Sequence, residues 1–258
     1  MPLPPHCSLR FTPLVCRHRL RPTYRPRIVA ETDDYLVVDK PPFLAAHPSK
    51  PGGGVTLWDE LRGLLAYEVA NGGQVSLINR LDRETSGLTL IAKTLAAARH
   101  FSRRMMDRAI HKEYLALVSG WPAQDAWRVD GPLLRQGEIA ASRVWLKQCV
   151  HPAGTPAATG FRVERRIVRN GEPYAMVRAF PETGRMHQIR VHLAHSGHPI
   201  VGDKLYGPSE ECYLEFIETG WTPALAARLH LPRQALHACL LRVDELEWHS
   251  AMPGDFDW

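Results

Sequence analysis

Apolar residues fall in short runs along most of this chain, and the spacing within each run separates strands from helices. Nine runs have strand character: Ile28–Glu31, Tyr35–Asp39, Val75–Ile78, Leu88–Ala92, Glu113–Val118, Ser142–Gln148, Gly160–Ile167, Tyr174–Ala179 and Ala238–Val243. Thr32-Asp33-Asp34 joins the first two as a turn, and Pro41-Pro42 closes them. Three stretches read as helices instead. In the first, Thr56 and Asp59 form the Thr-x-x-Asp of a capping box, Leu57, Leu61, Leu64, Leu65 and Val69 recur at helical intervals, and Asn71-Gly72-Gly73 ends the helix. The second covers Leu95–Arg108, with Ala98, Phe101 and Met105 as its apolar stripe. The third covers His187–His195. Strands outnumber helices and do not alternate strictly with them. The pattern therefore predicts an α+β fold with a mixed, largely antiparallel central sheet flanked by helices, and disfavours a doubly wound parallel sheet.

Composition adds an asymmetry. The chain has 258 residues, 45% apolar and 23% charged, enough for one large domain or two small ones. Its net charge is +5, but residues 1–27 hold six arginines, six prolines and no acid. Without that segment 26 basic and 27 acidic residues remain, so the basic character belongs to an N-terminal arm and residues 28–258 form the body. No run approaches 18 uninterrupted apolar residues, which excludes a membrane-spanning helix. The arm lacks the apolar core of a secretory signal, and its prolines oppose an amphipathic transit helix. Five scattered cysteines fit reduced thiols and a cytoplasmic location. His6, Cys7, Cys16 and His18 match no zinc-ligand spacing. Gly52-Gly53-Gly54 lacks the Gly-Lys-Ser/Thr that a phosphate loop requires and reads as a hinge or turn.

Chemistry concentrates in Asn79–Lys93, NRLDRETSGLTLIAK, a polar stretch between two strand-like runs. Asp82 lies between Arg80 and Arg83, which should keep it ionised. That suits a nucleophile or an electrostatic anchor, and equally a turn-capping aspartate paired with Arg80. Arg99/Arg103 and Arg104/Arg108, four apart on the second helix, form a solvated face or an RNA contact.

This segment resembles the catalytic motif of the RluA-type pseudouridine synthases, H-R-L-D-x-x-T-S-G-L-L-L-x-A-K. Three further blocks match the family in order: Glu31–Pro48 (ETDDYLVVDKPPFLAAHP), Lys112–Val118 (KEYLALV, against K-x-Y-x-A-x-V) and Thr183–Gly207 (TGRMHQIRVHLAHSGHPIVGDKLYG). The similarity spans roughly residues 28–250. It implies the fold of those enzymes and isomerisation of uridine to pseudouridine in ribosomal or transfer RNA, with no cofactor and no metal. The chain is expected to work as a monomer on an RNA stem-loop, with no membrane partner. By position, Asp82 matches the catalytic aspartate, which attacks the target nucleotide while the uracil is detached, turned and rejoined through carbon. Arg80 matches the arginine that helps displace the flipped base, Tyr114 the tyrosine that stacks on uracil and serves in proton transfer, and Arg190 the arginine that pairs with the catalytic carboxylate.

Two positions depart from the family: Asn79 stands in place of His, and Met186 in place of Thr or Ser. Activity is expected to survive both, while fine positioning or substrate choice could change. His187, His192, His195 and His198 are expected to be structural or RNA-contacting, and Asp203 to anchor a loop. The competing class is an RNA-binding chaperone or ribosome-assembly factor on the same fold.

Overall fold

A computed structural model describes residues 25–48 and 54–258. Residues 1–24 of the basic arm, with His6, Cys7, Cys16 and His18, lie outside the described residues, as do Gly52 and Gly53. Arg27 opens the first strand and pairs with Asp39 at 3.0 Å.

Strands β1 (Arg27–Glu31) and β2 (Tyr35–Lys40) form the hairpin that the Thr32-Asp33-Asp34 turn predicts. Thr56 caps helix α1 (Leu57–Leu64) through the expected box with Asp59, burying Leu57 and Leu61. The helical run does not continue unbroken. It restarts at Leu65 as α2 (Ala66–Ala70), which leaves Leu64 exposed. Then follow β3 (Ser76–Leu77), β4 (Ser86–Ala92) and α3 (Leu95–Met106), whose N-cap is Thr94. The second half holds β5 (Ile110–Ser119), β6 (Ala126–Asp130), β7 (Leu133–Arg135), β8 (Gln148–Val150), β9 (Ala158–Arg169) and β10 (Glu172–Pro181). It closes with α4 (Gln188–His195), α5 (Glu211–Thr219), α6 (Pro223–Leu229), β11 (Leu236–Val243) and β12 (Leu246–His249).

Ten of these strands make one sheet in the order β1-β2-β4-β11-β5-β10-β9-β6, with β3 added to β4 and β12 to β11. Every pairing is antiparallel except β4 with β11, which is parallel for only two residue pairs, Ser86–His237 and Gly87–Ala238. The fold is thus the expected α+β, mixed and largely antiparallel. β7 and β8 form a separate two-stranded ribbon.

The expected strand Ser142–Gln148 is not formed. Ser142 Oγ bonds Val144 N at 3.3 Å and Val144 O at 3.0 Å, and Lys147 N–H donates to Val144 O, so local turns take the hydrogen bonds a ladder needs. Of the apolar run there, Val144 enters the core while Trp145 lies outside beneath the Arg135 guanidinium, 3.8 Å from the ring centre.

The short parallel contact shapes the centre of the sheet. At Gly87, φ is +113°, and a Cβ would fall 2.3 Å from Ala238 O, so only glycine lets β4 and β11 approach there. The polar segment that begins at Asn79 leads into β4 just before this point.

Candidate active site

Residues 79–85 connect β3 to β4, and nearly every residue of this loop is tied down. Asn79 is buried; its Nδ2 donates to Leu88 O at 3.0 Å and its Oδ1 accepts Leu90 N–H at 2.8 Å. The side chain thereby continues the β3–β4 ladder by one step, a bracing role for this departure from the family motif. Thr85 N–H closes a turn on Asp82 O. Lys40 is fully buried, donates to Pro41 O and Leu44 O at 2.9 Å each, and reaches Arg83 O at 3.4 Å. Burial pulls its pKa down to about 7, with Asp82 acting in the opposite direction. Lys204 clasps both carboxylate oxygens of Glu84 at 2.8 Å.

Asp82 is therefore displayed on a fixed loop, and its cation comes from elsewhere. Arg190, on α4, donates from Nη1 to Asp82 Oδ2 at 2.8 Å. The same guanidinium grips Asp203 from its other edge, Nε to Oδ2 at 2.6 Å and Nη2 to Oδ1 at 2.9 Å. Asp203 Oδ1 also accepts Leu205 N–H and Tyr206 N–H, so it anchors its own loop as well as Arg190. Asp203 is fully buried, whereas the Asp82 side chain is 31% exposed. One carboxylate orients the arginine, and the arginine presents the other to open space. Gln234 Nε2 adds a contact to Asp82 Oδ2 at 3.3 Å and holds Thr85 Oγ1 at 2.7 Å.

The electrostatics follow from this arrangement. Burial works against the charged form of Asp82, but the charges of Arg190 and His187 and the hydrogen bonds from Arg190 and Gln234 prevail. Its carboxyl is held below the ordinary range. Asp203 is held low in the same way, by Arg190 and two backbone amides against the cost of burial. Arg80, two residues before Asp82, is exposed and makes no ion pair among the described residues. The turn-cap reading of Asp82 with Arg80 therefore gives way to a partner 108 residues further on.

Asp82 and Arg190 open into a cleft of about 550 Å³, a size suited to a small ligand. Arg80, Tyr114 and Leu236 line it, together with Met105, Lys112 and the Thr183–Ile189 segment. All four residues singled out from the sequence thus meet on one cavity. Tyr114 sits on β5 opposite Ala179 of β10 and Ala238 of β11. Two alanines beside it leave the ring with little side-chain cover on its own strand level. Its hydroxyl has no hydrogen-bond partner among the described residues. Burial, and then the Asp82 charge, push its pKa well above the ordinary phenol value, so Tyr114 is a neutral phenol at physiological pH.

His187, at φ 58° just before α4, also lines the cleft. Tyr206 Oη accepts Gln148 N–H at 2.9 Å and shares a second hydrogen bond, also of 2.9 Å, with His187 Nδ1. The His187 ring is thereby held against Tyr206. Burial first, and the Arg190 charge second, lower its pKa to about 4. Of the other histidines, His192 bonds Thr159 Oγ1 and Gly131 O, and His198 bonds Ser119 O. Met186 is half exposed at the rim. Sequence spacing did not point to Asp203 as the orienting partner of Arg190, nor to Gln234, Tyr206 or Lys40. Asp203 and Tyr206 lay within a recognised block, while nothing local marked Gln234.

Comparison with known proteins identifies the family. A family model described as RNA pseudouridylate synthase matches residues 34–195. The "Ribosomal large subunit pseudouridine synthase D" of Haemophilus ducreyi is 36% identical over 246 residues, covering 89% of this chain and 68% of that protein. The protein of the same name from Salmonella typhimurium is 36% identical over 242 residues, covering 88% and 67%. Among solved structures, human RNA pseudouridylate synthase domain containing 1 superposes with a TM-score of 0.66 at 26% identity, covering 89% of this chain and 84% of its own. Human RNA pseudouridylate synthase domain containing 4 shares the fold at a TM-score of 0.67 and 24% identity, covering 89% and 90%. The chain belongs to the RluA-type RNA pseudouridine synthases, enzymes that isomerise uridine to pseudouridine in RNA.

Proposed function

We propose that the Asp82 cleft is where the isomerisation takes place, and that the substrate is a uridine in a stem-loop of large-subunit ribosomal RNA. The observation that carries this reading is a carboxylate kept ionised by Arg190, yet one-third open to a cleft that Tyr114 also lines. The reaction breaks the bond from the sugar to uracil N1 and makes one to C5. The C5 hydrogen leaves as a proton and N1 gains one, so no electrons are exchanged. Asp82 attacks the target nucleotide and holds it while the detached base turns.

Each further residue has a part that its surroundings support. The uridine must leave its stack, at a cost of a few kcal/mol. Stacking on an aromatic ring returns about 1–3 kcal/mol, which Tyr114 supplies. Because Tyr114 stays protonated, it takes part in proton transfer as a neutral phenol that gives and receives together, not as a standing phenolate. Arg80, uncommitted at the cleft wall, occupies the space that the extruded base vacates. Arg190 keeps Asp82 ionised, and Asp203 keeps Arg190 aimed.

The large-subunit ribosomal RNA assignment follows the names of the relatives. Residues 28–258 act as the catalytic unit and residues 1–27 as an RNA-binding arm. The protein works as a monomer in the cytoplasm. No described helix is long and apolar enough to cross a membrane. Purified protein incubated with 5-tritiated-uridine transcripts of large-subunit ribosomal RNA and of transfer RNA should release tritium from the former only. Release from transfer RNA alone would overturn the substrate assignment. Tight binding with release from neither would favour the assembly-factor reading.

A further inference from the structure

Five lysines lie among the described residues, and four have oxygen partners. Lys40 donates to backbone carbonyls, Lys93 pairs with Glu31 and Glu68, Lys147 with Glu210 and Lys204 with Glu84. Lys112 is the exception. The only hydrogen-bond partner of its Nζ among the described residues is the Met105 sulfur at 3.9 Å, a weak acceptor. Lys112 is half-buried on β5 two residues before Tyr114, so both side chains stand on the same face of the sheet, and both line the cleft. Burial without a counter-charge disfavours its ammonium form. A cation placed at such cost in a ligand cleft is completed by an anion that arrives with the ligand.

The surroundings specify that anion. A Cβ on Gly184 would lie 3.8 Å from Lys112 Nζ, so the ammonium sits against the bare backbone of the loop that leads into α4. Exposed Arg185 follows in that loop, its Nε donating to Pro156 O at 3.3 Å. Tyr114 is buried and Lys112 less so, which puts the charge nearer the mouth than the ring on which a base would stack. A compact ammonium suits an RNA phosphate, and no carboxylate among the described residues pairs with it.

We propose that Lys112 Nζ binds a backbone phosphate of the RNA strand next to the reacting uridine, and so sets how deeply that nucleotide enters the cleft. This rests on the Asp82 cleft being the reaction site.

The test is equilibrium binding of a large-subunit ribosomal RNA transcript in a salt series, made in the Asp82→Asn background so that turnover is not needed. Lys112→Met should weaken binding roughly tenfold at low salt. It should also lower the slope of log affinity against log salt by about 0.7, the share of one single-strand phosphate contact. Lys112→Arg keeps the charge and should keep the slope. With Asp82 restored, Lys112→Met should raise KM by a larger factor than it lowers kcat. An unchanged salt slope in Lys112→Met overturns the proposal, even if affinity falls, because a neutral contact to uracil would do that. Equal loss of slope in Lys112→Arg overturns it too, by assigning the effect to packing. Failure of the underlying reading looks different, since Asp82→Asn itself would then still turn over.

Discussion

Replacing Arg190 with Met removes the charge shared by two carboxylates at once. Asp203 is fully buried and loses both partners on the guanidinium; Asp82, 31% exposed, loses the 2.8 Å bond that holds it ionised. Breaking a buried ion pair by deleting one partner costs about 3–5 kcal/mol, and water reaching Asp82 keeps this nearer the lower figure. At about 2–4 °C per kcal/mol for a chain of this size, the midpoint should fall by roughly 6–12 °C. The pH dependence should reverse. In the native protein both carboxyls titrate below their ordinary range. They therefore add stability above the unfolded carboxyl pKa of about 4, and that stability is lost as pH falls through the lower folded values. Without Arg190, the burial that opposes both charges is unbalanced and both folded pKa values rise above about 4. The variant then loses stability as pH rises through that window, because the folded state holds its protons longer than the unfolded one. Thermal unfolding at pH 5 and pH 8 measures this, and single-turnover pseudouridine formation across the same range should gain an acid limb that the native enzyme lacks. A midpoint within 2 °C of native at both pH values, or an unmoved rate profile, would refute the reasoning.

Three other substitutions test separate parts of the structure. Asn79→Ala strands Leu88 O and Leu90 N–H in the interior and should cost about 2–3 kcal/mol in urea unfolding, with kcat falling further than KM changes because the loop bearing Asp82 loosens. Gly87→Ala forces a methyl into the Ala238 backbone at a positive φ, so the protein should accumulate as insoluble or unfolded material, judged by soluble yield and circular dichroism. Tyr114→Phe keeps the stacking face and loses the hydroxyl, so RNA affinity by filter binding should stay within about twofold, the range of a stacking contact preserved. Its tritium-release rate should nevertheless drop.

Strand periodicity revealed most of the sheet because its alternation is a local property of the chain. The reading failed at Ser142–Gln148, where a short apolar run accompanies turns held by the Ser142 hydroxyl. It also missed β6, whose residues are exposed or half-buried in turn, and the helices α5 and α6, whose apolar residues Cys212, Phe216, Leu225 and Leu229 pack on one another in a small satellite cluster. The site was legible through motif order: Arg80, Asp82, Tyr114 and Arg190 all reach one cleft. What holds them was not legible, because those contacts span the chain. Arg190 lies 108 residues from Asp82, and Gln234 lies 152 from it. The Asn79 departure became interpretable only when its side chain was found completing a ladder with β4, and Met186 only when it was found at the rim.

The central claim is that the Asp82 carboxylate does the chemistry in this cleft. Asp82→Asn keeps an oxygen for Arg190 and a side chain of the same size, so the variant should melt close to the native protein and still bind RNA. Tritium release from 5-tritiated uridine in large-subunit ribosomal RNA measures it most directly. The structure predicts release no greater than in a protein-free control. Release by folded Asp82→Asn at a rate comparable to the native enzyme would contradict it.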